Sequence, residues 1–338
     1  MYLYMTFFLF SMGGSYYFSY DDSLVAEVKK GNYNFRDLRK AFSRMTSNAL
    51  KITILEQISM DARKGTKDFL LEVGLNKRED MKVRRYAIQS LLRDAERLGL
   101  RLSQVKMILR DTLLCNDIIL VRAAKVLQKM DVDREVVELM VSYMEKEENV
   151  EKGVTTFIGY EVIKMVNERY RVSCAEKAHV FIRCLRVLKS RHLIEYLRRM
   201  GECALRVLEE EYFNLDSATQ KWAMVAMGAI DYRRYGRYLI EYARDVNEPW
   251  RLRADAIEFL GYSGDTTLIP FLEGFLLNDT LKIILHTDVL LPGEEHGYRV
   301  HYPLKEAAYV ALLKLGVRVR RQGENYWIEK EGGKDKRQ

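Results

Sequence analysis

Apolar residues return along this chain at helical spacing, and one phrase carries the pattern most clearly: Leu252-Arg253-Ala254-Asp255-Ala256-Ile257-Glu258-Phe259-Leu260-Gly261. Counting back eight, four and three residues from Leu260 gives Leu252, Ala256 and Ile257, a single stripe along one helix face. The same frame fits Val83, Ala87, Ile88 and Leu91, then Ile119, Ala123, Ala124 and Leu127. It returns with Val150, Val154, Thr155 and Ile158, with Thr219, Ala223, Met224 and Met227, and with Leu304, Ala308, Tyr309 and Leu312. The middle position is Ala in every copy but the one with Val154, and a small residue there lets a neighbouring helix come close. A second amphipathic run precedes several copies, as at Gly65–Lys77, Leu102–Leu114 and Tyr238–Arg244. Polar corners such as Asn116-Asp117 and Asn247-Glu248-Pro249 separate the two runs, where an Asx side chain can cap the next helix. Gly159, Gly228, Gly261 and Gly316 lie at or near the anchors, where a helix end calls for a left-handed residue. A unit recurring about every 30–50 residues cannot bury its own apolar face, so the pattern predicts an all-α stack of helical pairs.

This pattern resembles the HEAT repeat, in particular the short phycobilisome-lyase-type variety. The resemblance is closest over Trp250–Asn278 and Tyr302–Gly316, good over Thr66–Met130 and weak over Val150–Tyr212. It implies a right-handed α-solenoid of HEAT-like helical pairs. Arg84, Arg253 and Lys305 match the basic residue that the family often carries at the second position of the inner helix. In HEAT proteins that residue commonly pairs with an acidic side chain of the next repeat. Family members are scaffolds, adaptors and, less often, enzymes, so the resemblance constrains shape far more than activity.

The frame is interrupted once. The distance between anchors grows from 33 residues (Met227 to Leu260) to 52 (Leu260 to Leu312). The insert, 278–302, carries β-branched apolar flanks around Pro292-Gly293 and reads as a hairpin or loop. His286, His296 and His301 fall there with Asp288, Glu294 and Glu295, but no His-x-x-x-His spacing fixes a geometry and no metal site is assigned. After the last helix, alternation over Gly316–Arg321 and Tyr326–Ile328 about a Gln322–Asn325 turn predicts a C-terminal β-hairpin cap over 317–331. The tail 332–338 reads as disordered. Residues 1–20 form an apolar segment whose first positive side chain comes only at Lys29, so the basic start of a secretory signal is missing. A start at Met12, a short first element packed on the array and a membrane anchor are the readings open for it. Residues 21–316 between these ends read as one continuous array.

Composition narrows the class without naming an activity. Four prolines in 338 residues leave few linkers, and 30% charged with 48% hydrophobic residues suits a soluble helical protein. Cys115, Cys174, Cys184 and Cys203 form no Cys-x-x-Cys pair and lie in helical apolar patterns, which reads as buried reduced thiols of a cytoplasmic protein.

Two constellations stand out against a net charge of +7. Between Arg169 and Arg206 ten cations face three anions, and Arg183, Arg186, Arg198 and Arg199 are its candidate contacts for an acidic partner. A solvated helix face is the plain alternative. The second is Tyr232, Arg233, Arg234, Tyr235 and Arg237, placed in the corner before a helix. Arginines interleaved with tyrosines supply phosphate contacts and stacking planes together, as single-stranded nucleic acid requires.

Enzyme signatures are missing: no P-loop, no Gly-x-Ser-x-Gly and no His-Glu-x-x-His. One iron-dependent hydroxylase family is built on HEAT repeats with paired His-Glu motifs, and no His-Glu dipeptide occurs here. The expectation is therefore a non-enzymatic scaffold or adaptor without cofactors, holding a protein or peptide on its concave surface. A nucleic-acid-binding solenoid using the basic surface is the rival. A HEAT-like lyase or DNA glycosylase is a third option, which requires an acid and an aromatic converging in a pocket. Membrane association is not expected, although the apolar start leaves it open.

Overall fold

A computed structural model of the chain describes residues 20–61, 63–146, 155–286, 298–323 and 325–328. The apolar start, the Pro292-Gly293 turn, the Val150 and Val154 positions and the tail 332–338 lie outside the described residues. The chain divides into two compact units, Met1–Met130 and Asp131–Gln338. The expected array over 21–316 spans that division. Among the described residues the secondary structure is seventeen α-helices, two single-turn 3-10 helices (Tyr212–Asn214 and Thr266–Leu268) and two short hairpins.

The first unit holds α1 (Tyr20–Lys29), α2 (Phe35–Arg44), α3 (Asn48–Asp61), α4 (Thr66–Leu75), α5 (Met81–Arg93), α6 (Leu102–Arg110) and α7 (Asp117–Leu127). Alternate helices pack in order, α1 on α3, α3 on α5 and α5 on α7, with α4 laid against α3 and α5, α6 against α7, and α2 against α4. The repeat frame predicts the buried side of α5 and α7. Val83, Ala87, Ile88, Leu91, Ile119, Ala123, Ala124 and Leu127 are all removed from solvent, at about 1.5–3 kcal/mol for each large aliphatic side chain. Asp80 caps α5 by accepting from Lys82 N at 2.8 Å, and Asn116 caps α7 by accepting from Ile119 N at 3.0 Å. Lys51 on α3 meets Glu79 at 2.8 Å, with both side chains close to fully buried.

The second unit holds α8 (Arg134–Met144), α9 (Thr155–Arg169), α10 (Cys174–Leu188), α11 (Arg191–Met200), α12 (Glu202–Glu211), α13 (Ser217–Ile230), α14 (Tyr232–Arg244), α15 (Trp250–Leu260), α16 (Ile269–Asn278) and α17 (Pro303–Lys314). Here α11, α13, α15 and α17 pack each on the next, skipping the helix between. Thr219, Ala223, Met224, Met227, Leu252, Ala256, Ile257, Leu260, Leu304, Ala308 and Leu312 are buried as the frame requires, and Ile158 is buried in α9. Asn247 does not cap α15; Pro249 starts that helix with no side-chain cap.

A basic side chain reaches back ten residues to the end of the preceding helix in three places. Arg84 Nε donates to Gly74 O at 3.0 Å, Lys177 Nζ to Asn167 O at 3.0 Å and Arg253 Nε to Ala243 O at 3.3 Å. Arg84 also pairs with Asp111 of the following repeat, as the HEAT resemblance implies. These cations satisfy carbonyls that a helix C-terminus leaves unpaired.

The glycines divide by role. Gly316, at φ 85°, takes the left-handed conformation expected of a helix end. Gly159 and Gly228 lie inside α9 and α13, where Leu188 and Leu239 occupy the space of a side chain. Gly261 stays right-handed, and a Cβ there would stand 2.6 Å from Ala311 Cα. Its lack of a side chain lets α17 seat directly on the end of α15.

The flanks of the insert pair as antiparallel strands β1 (Ile283–His286) and β2 (Tyr298–His301), with Ile283 opposite His301. The C-terminal hairpin consists of β3 (Val319–Gln322) and β4 (Asn325–Ile328), with Val319 opposite Ile328. Arg321 reaches Glu306 of α17 at 3.2 Å, and the Tyr326 ring lies 5.4 Å from that of Tyr309, which ties the hairpin to the last helix. No helix among the described residues is long and apolar enough to cross a membrane.

The expectation of four reduced thiols is corrected. Cys115 and Cys184 are free and buried, but Cys174 and Cys203 form a disulfide. They sit in the first turns of α10 and α12, two helices that pack together, with Cα atoms 6.3 Å apart.

Candidate functional site

The row α11–α13–α15–α17 carries the densest group of ionisable and aromatic side chains. Ser190 opens α11 by accepting from His192 N. Burial of Leu193, Ile194 and Leu197 then leaves Arg191, Glu195, Arg198 and Arg199 on the open side. On α15 the stripe through Leu252, Ala256 and Leu260 faces the core, and Asp255 and Glu258 fall beside it one turn apart.

Glu258 is the hub. It accepts from Arg191 Nη1 at 2.6 Å with one oxygen and from Lys314 Nζ of α17 at 2.9 Å with the other. Lys314 Nζ also stands 3.7 Å from the centre of the Tyr262 ring, and the Arg198 guanidinium stands 4.0 Å from it. Both distances suit cation–π attraction. Tyr262 stacks on Phe259 at 5.8 Å, while the Tyr160 ring meets His192 edge-on at 5.4 Å. Desolvation pushes the Asp255 carboxyl up to about 8, against the opposing pull of Arg191. Burial, with Arg191 adding to it, lowers His192 below the usual imidazole range. Near neutral pH the cluster thus offers a carboxylic acid that can donate a hydrogen bond and an imidazole that can accept one.

Arg198 of the sequence-nominated residues belongs to this face, and Arg199 lies beside it; both donate to Glu195, at 2.9 and 2.8 Å. Arg183 points elsewhere, to Glu138 and Glu145 of and just after α8, at 2.6 and 2.8 Å, and their hydrogen bonds raise its pKa further. Arg186 reaches Asn214 O at 3.5 Å. The segment Tyr232–Arg237 is not a corner. Asp231 caps it by accepting from Arg234 N, so it forms the first turns of α14, with Gly236 making room for the Tyr232 ring. Tyr232 donates to Asp265 and Tyr235 to Glu209, while Arg234 pairs with Glu209 at 2.5 Å. Arg237 turns to the Tyr238 hydroxyl, and Arg233 is exposed at the edge of a small hollow shared with Phe259 and Tyr262.

Sequence reasoning missed Arg191, Asp255, Glu258, Tyr262 and Lys314. A signal for two of them exists in the repeat frame. Five and two residues before the anchor stand Tyr86 and Gln89 in α5, Trp222 and Val225 in α13, and Ala307 and Val310 in α17. Only α15 places acids there, Asp255 and Glu258, and only α7 places cations there, Arg122 and Lys125.

Among the described residues no three His, Cys, Asp or Glu side chains converge as a metal site. No family model matches the chain. No curated protein matches it either. Among solved structures, human deoxyhypusine hydroxylase in complex with glycerol aligns over 88% of this chain and 96% of its own, at 12% identity and a TM-score of 0.30. That neighbour is an enzyme, so the expectation of a non-enzymatic chain is withdrawn. Likeness at this level assigns no active site or substrate to this chain.

Proposed function

We propose that the chain is a right-handed HEAT-like α-solenoid whose inner-helix row in the second unit holds a protein or peptide partner. One observation carries this reading. Four helices that are not neighbours in sequence pack in order, and α11, α15 with a residue just past its end, and α17 join Arg191, Glu258, Lys314, Tyr262 and Arg198 in one chain of contacts, with Asp255 one turn from Glu258. Aromatic and arginine side chains anchored in a partly desolvated network are the groups that dominate protein recognition energies. The part-exposed Tyr262 ring offers a partner an aromatic surface. The paired arginines make the nucleic-acid reading weaker, since cations spent on Glu138, Glu145, Glu195 and Glu209 have little left for phosphates.

Affinity capture of tagged chain with and without nuclease, repeated for Tyr262→Ala and for Arg206→Ala at an exposed position on α12, tests the reading. Protein partners that survive nuclease, vanish with Tyr262→Ala and persist with Arg206→Ala are the expected result. Capture that nuclease abolishes overturns it in favour of nucleic acid.

A further inference from the structure

A hollow of about 640 Å³ opens on the first unit. It lies between the C-terminal end of α5, the turn through Gly99 and Leu100, and the last turns of α7. Leu92, Leu100, Val126 and Met130 give it a mainly apolar lining. Around that lining stand four cations and one acid, and their pairing decides what charge the hollow shows. Lys129 spends itself on Glu96 at 2.5 Å, and Arg93 on Asp94 at 3.1 Å. Arg122 donates to a neutral acceptor, Gln89 O at 2.8 Å, and so keeps its full charge. Lys125 is exposed and has no carboxylate against it among the described residues.

Helix C-termini attract cations, which accounts for Arg93 and Lys125 in the last turns of α5 and α7. It does not account for an apolar hollow beneath them, nor for the surplus of positive charge at its mouth. Arg122 and Lys125 also hold the two repeat positions that carry Asp255 and Glu258 in α15, so α7 presents its cations from the positions α15 uses for its network. The volume falls in the range that encloses a small molecule, and two helix ends with one turn leave no track for an extended chain.

We propose that this hollow binds a small organic anion with an apolar body. Its carboxylate or phosphate group is held by Arg122 and Lys125, and its body lies on Leu92, Leu100, Val126 and Met130. Charge-assisted hydrogen bonds from both cations to one anionic group are the strong kind, and burial of the body adds affinity in proportion to its apolar area.

Calorimetric titration of the full chain with decanoate, decanol and inorganic phosphate tests this, with ligand-observed NMR as a second readout. Decanoate should bind saturably at one site, with decanol and phosphate each weaker by about tenfold or more. Lys125→Glu, at an exposed position and checked by circular dichroism for unchanged helix content, should weaken decanoate about tenfold and leave decanol within about twofold. Equal affinities for decanoate and decanol would show an apolar hollow without anion selectivity and overturn the proposal. So would phosphate binding as tight as decanoate, decanoate affinity unchanged by Lys125→Glu, or no saturable decanoate binding by either readout.

Discussion

The first unit buries two ion pairs deeply, Lys51 with Glu79 and Arg84 with Asp111, and leaves other cations unmatched, whereas the second distributes its arginines over carboxylates nearer the surface. Lys51 and Glu79 are both about nine-tenths buried, while Arg122 and Lys125 face a hollow without a carboxylate partner. In the second unit Arg183 takes two glutamates, Arg198 and Arg199 share Glu195, and Arg191 and Lys314 share Glu258. The region with the most conspicuous run of basic residues is thus the better neutralised of the two. Local field depends on which acids the fold brings within a few ångström, and those acids come from neighbouring helices rather than from the run itself.

The largest effect is expected where that comparison is sharpest. Glu79→Ala strands Lys51 in a buried site and should cost about 3–5 kcal/mol by urea unfolding. Glu195→Ala, which strands only solvent-reachable arginines, should cost under about 1 kcal/mol. Equal losses would erase the distinction between the units. The second unit carries a covalent tie that the first lacks among the described residues. Cys174→Ser opens a link across 29 residues and should cost about 3 kcal/mol, with the same loss on adding a dithiol reductant. A melting temperature indifferent to both would mean that the link is not formed, the state expected of a cytoplasmic chain.

Packing should treat the units alike. Ala87→Leu and Ala256→Leu occupy one frame position and are both fully buried. Each should cost about 1–3 kcal/mol through overpacking, and a large disparity would break the shared frame. The test on Asp255 is read as a slope with pH rather than as a single loss. Its folded pKa of about 8 lies above the ordinary carboxylate value, so the folded state holds an extra proton between the two. Its contribution to stability is greatest below the ordinary value and is lost as pH rises through about 8. Asp255→Asn should flatten that decline, read as the difference in unfolding free energy between acid and mildly alkaline buffers. An unchanged slope would place the titration elsewhere.

The helical stripe was fully legible because period and burial are the same fact for an amphipathic helix: every described large aliphatic residue of the frame is buried. The two hairpins were legible from β-branched alternation and turn residues. The Tyr232–Arg237 segment reads as a corner from its polarity, yet Asp231 caps a helix that begins there. The ion pairs of Arg183 were not legible at all, since Glu138 and Glu145 lie 45 and 38 residues away and only packing of α8 on α10 joins them. The disulfide has a counterpart in the sequence. Cys174 and Cys203 stand 29 residues apart, about one repeat, and each follows closely on a helix start. Asp255 and Glu258 likewise differ from every other copy of the frame. Departures from a repeat marked the candidate face better than charge density did.

The contact of Gly261 with the Ala311 backbone has a consequence for the insert. Because α17 docks on α15 through this bare glycine, the insert between α16 and α17 can vary in length without altering the junction. The β1–β2 hairpin is an appendage in topological terms, bracketed by a junction that closes without it. A short flexible tether in place of residues 283–301 should preserve the array, and a reporter domain or epitope inserted there would ride on the molecule without entering its helical stack.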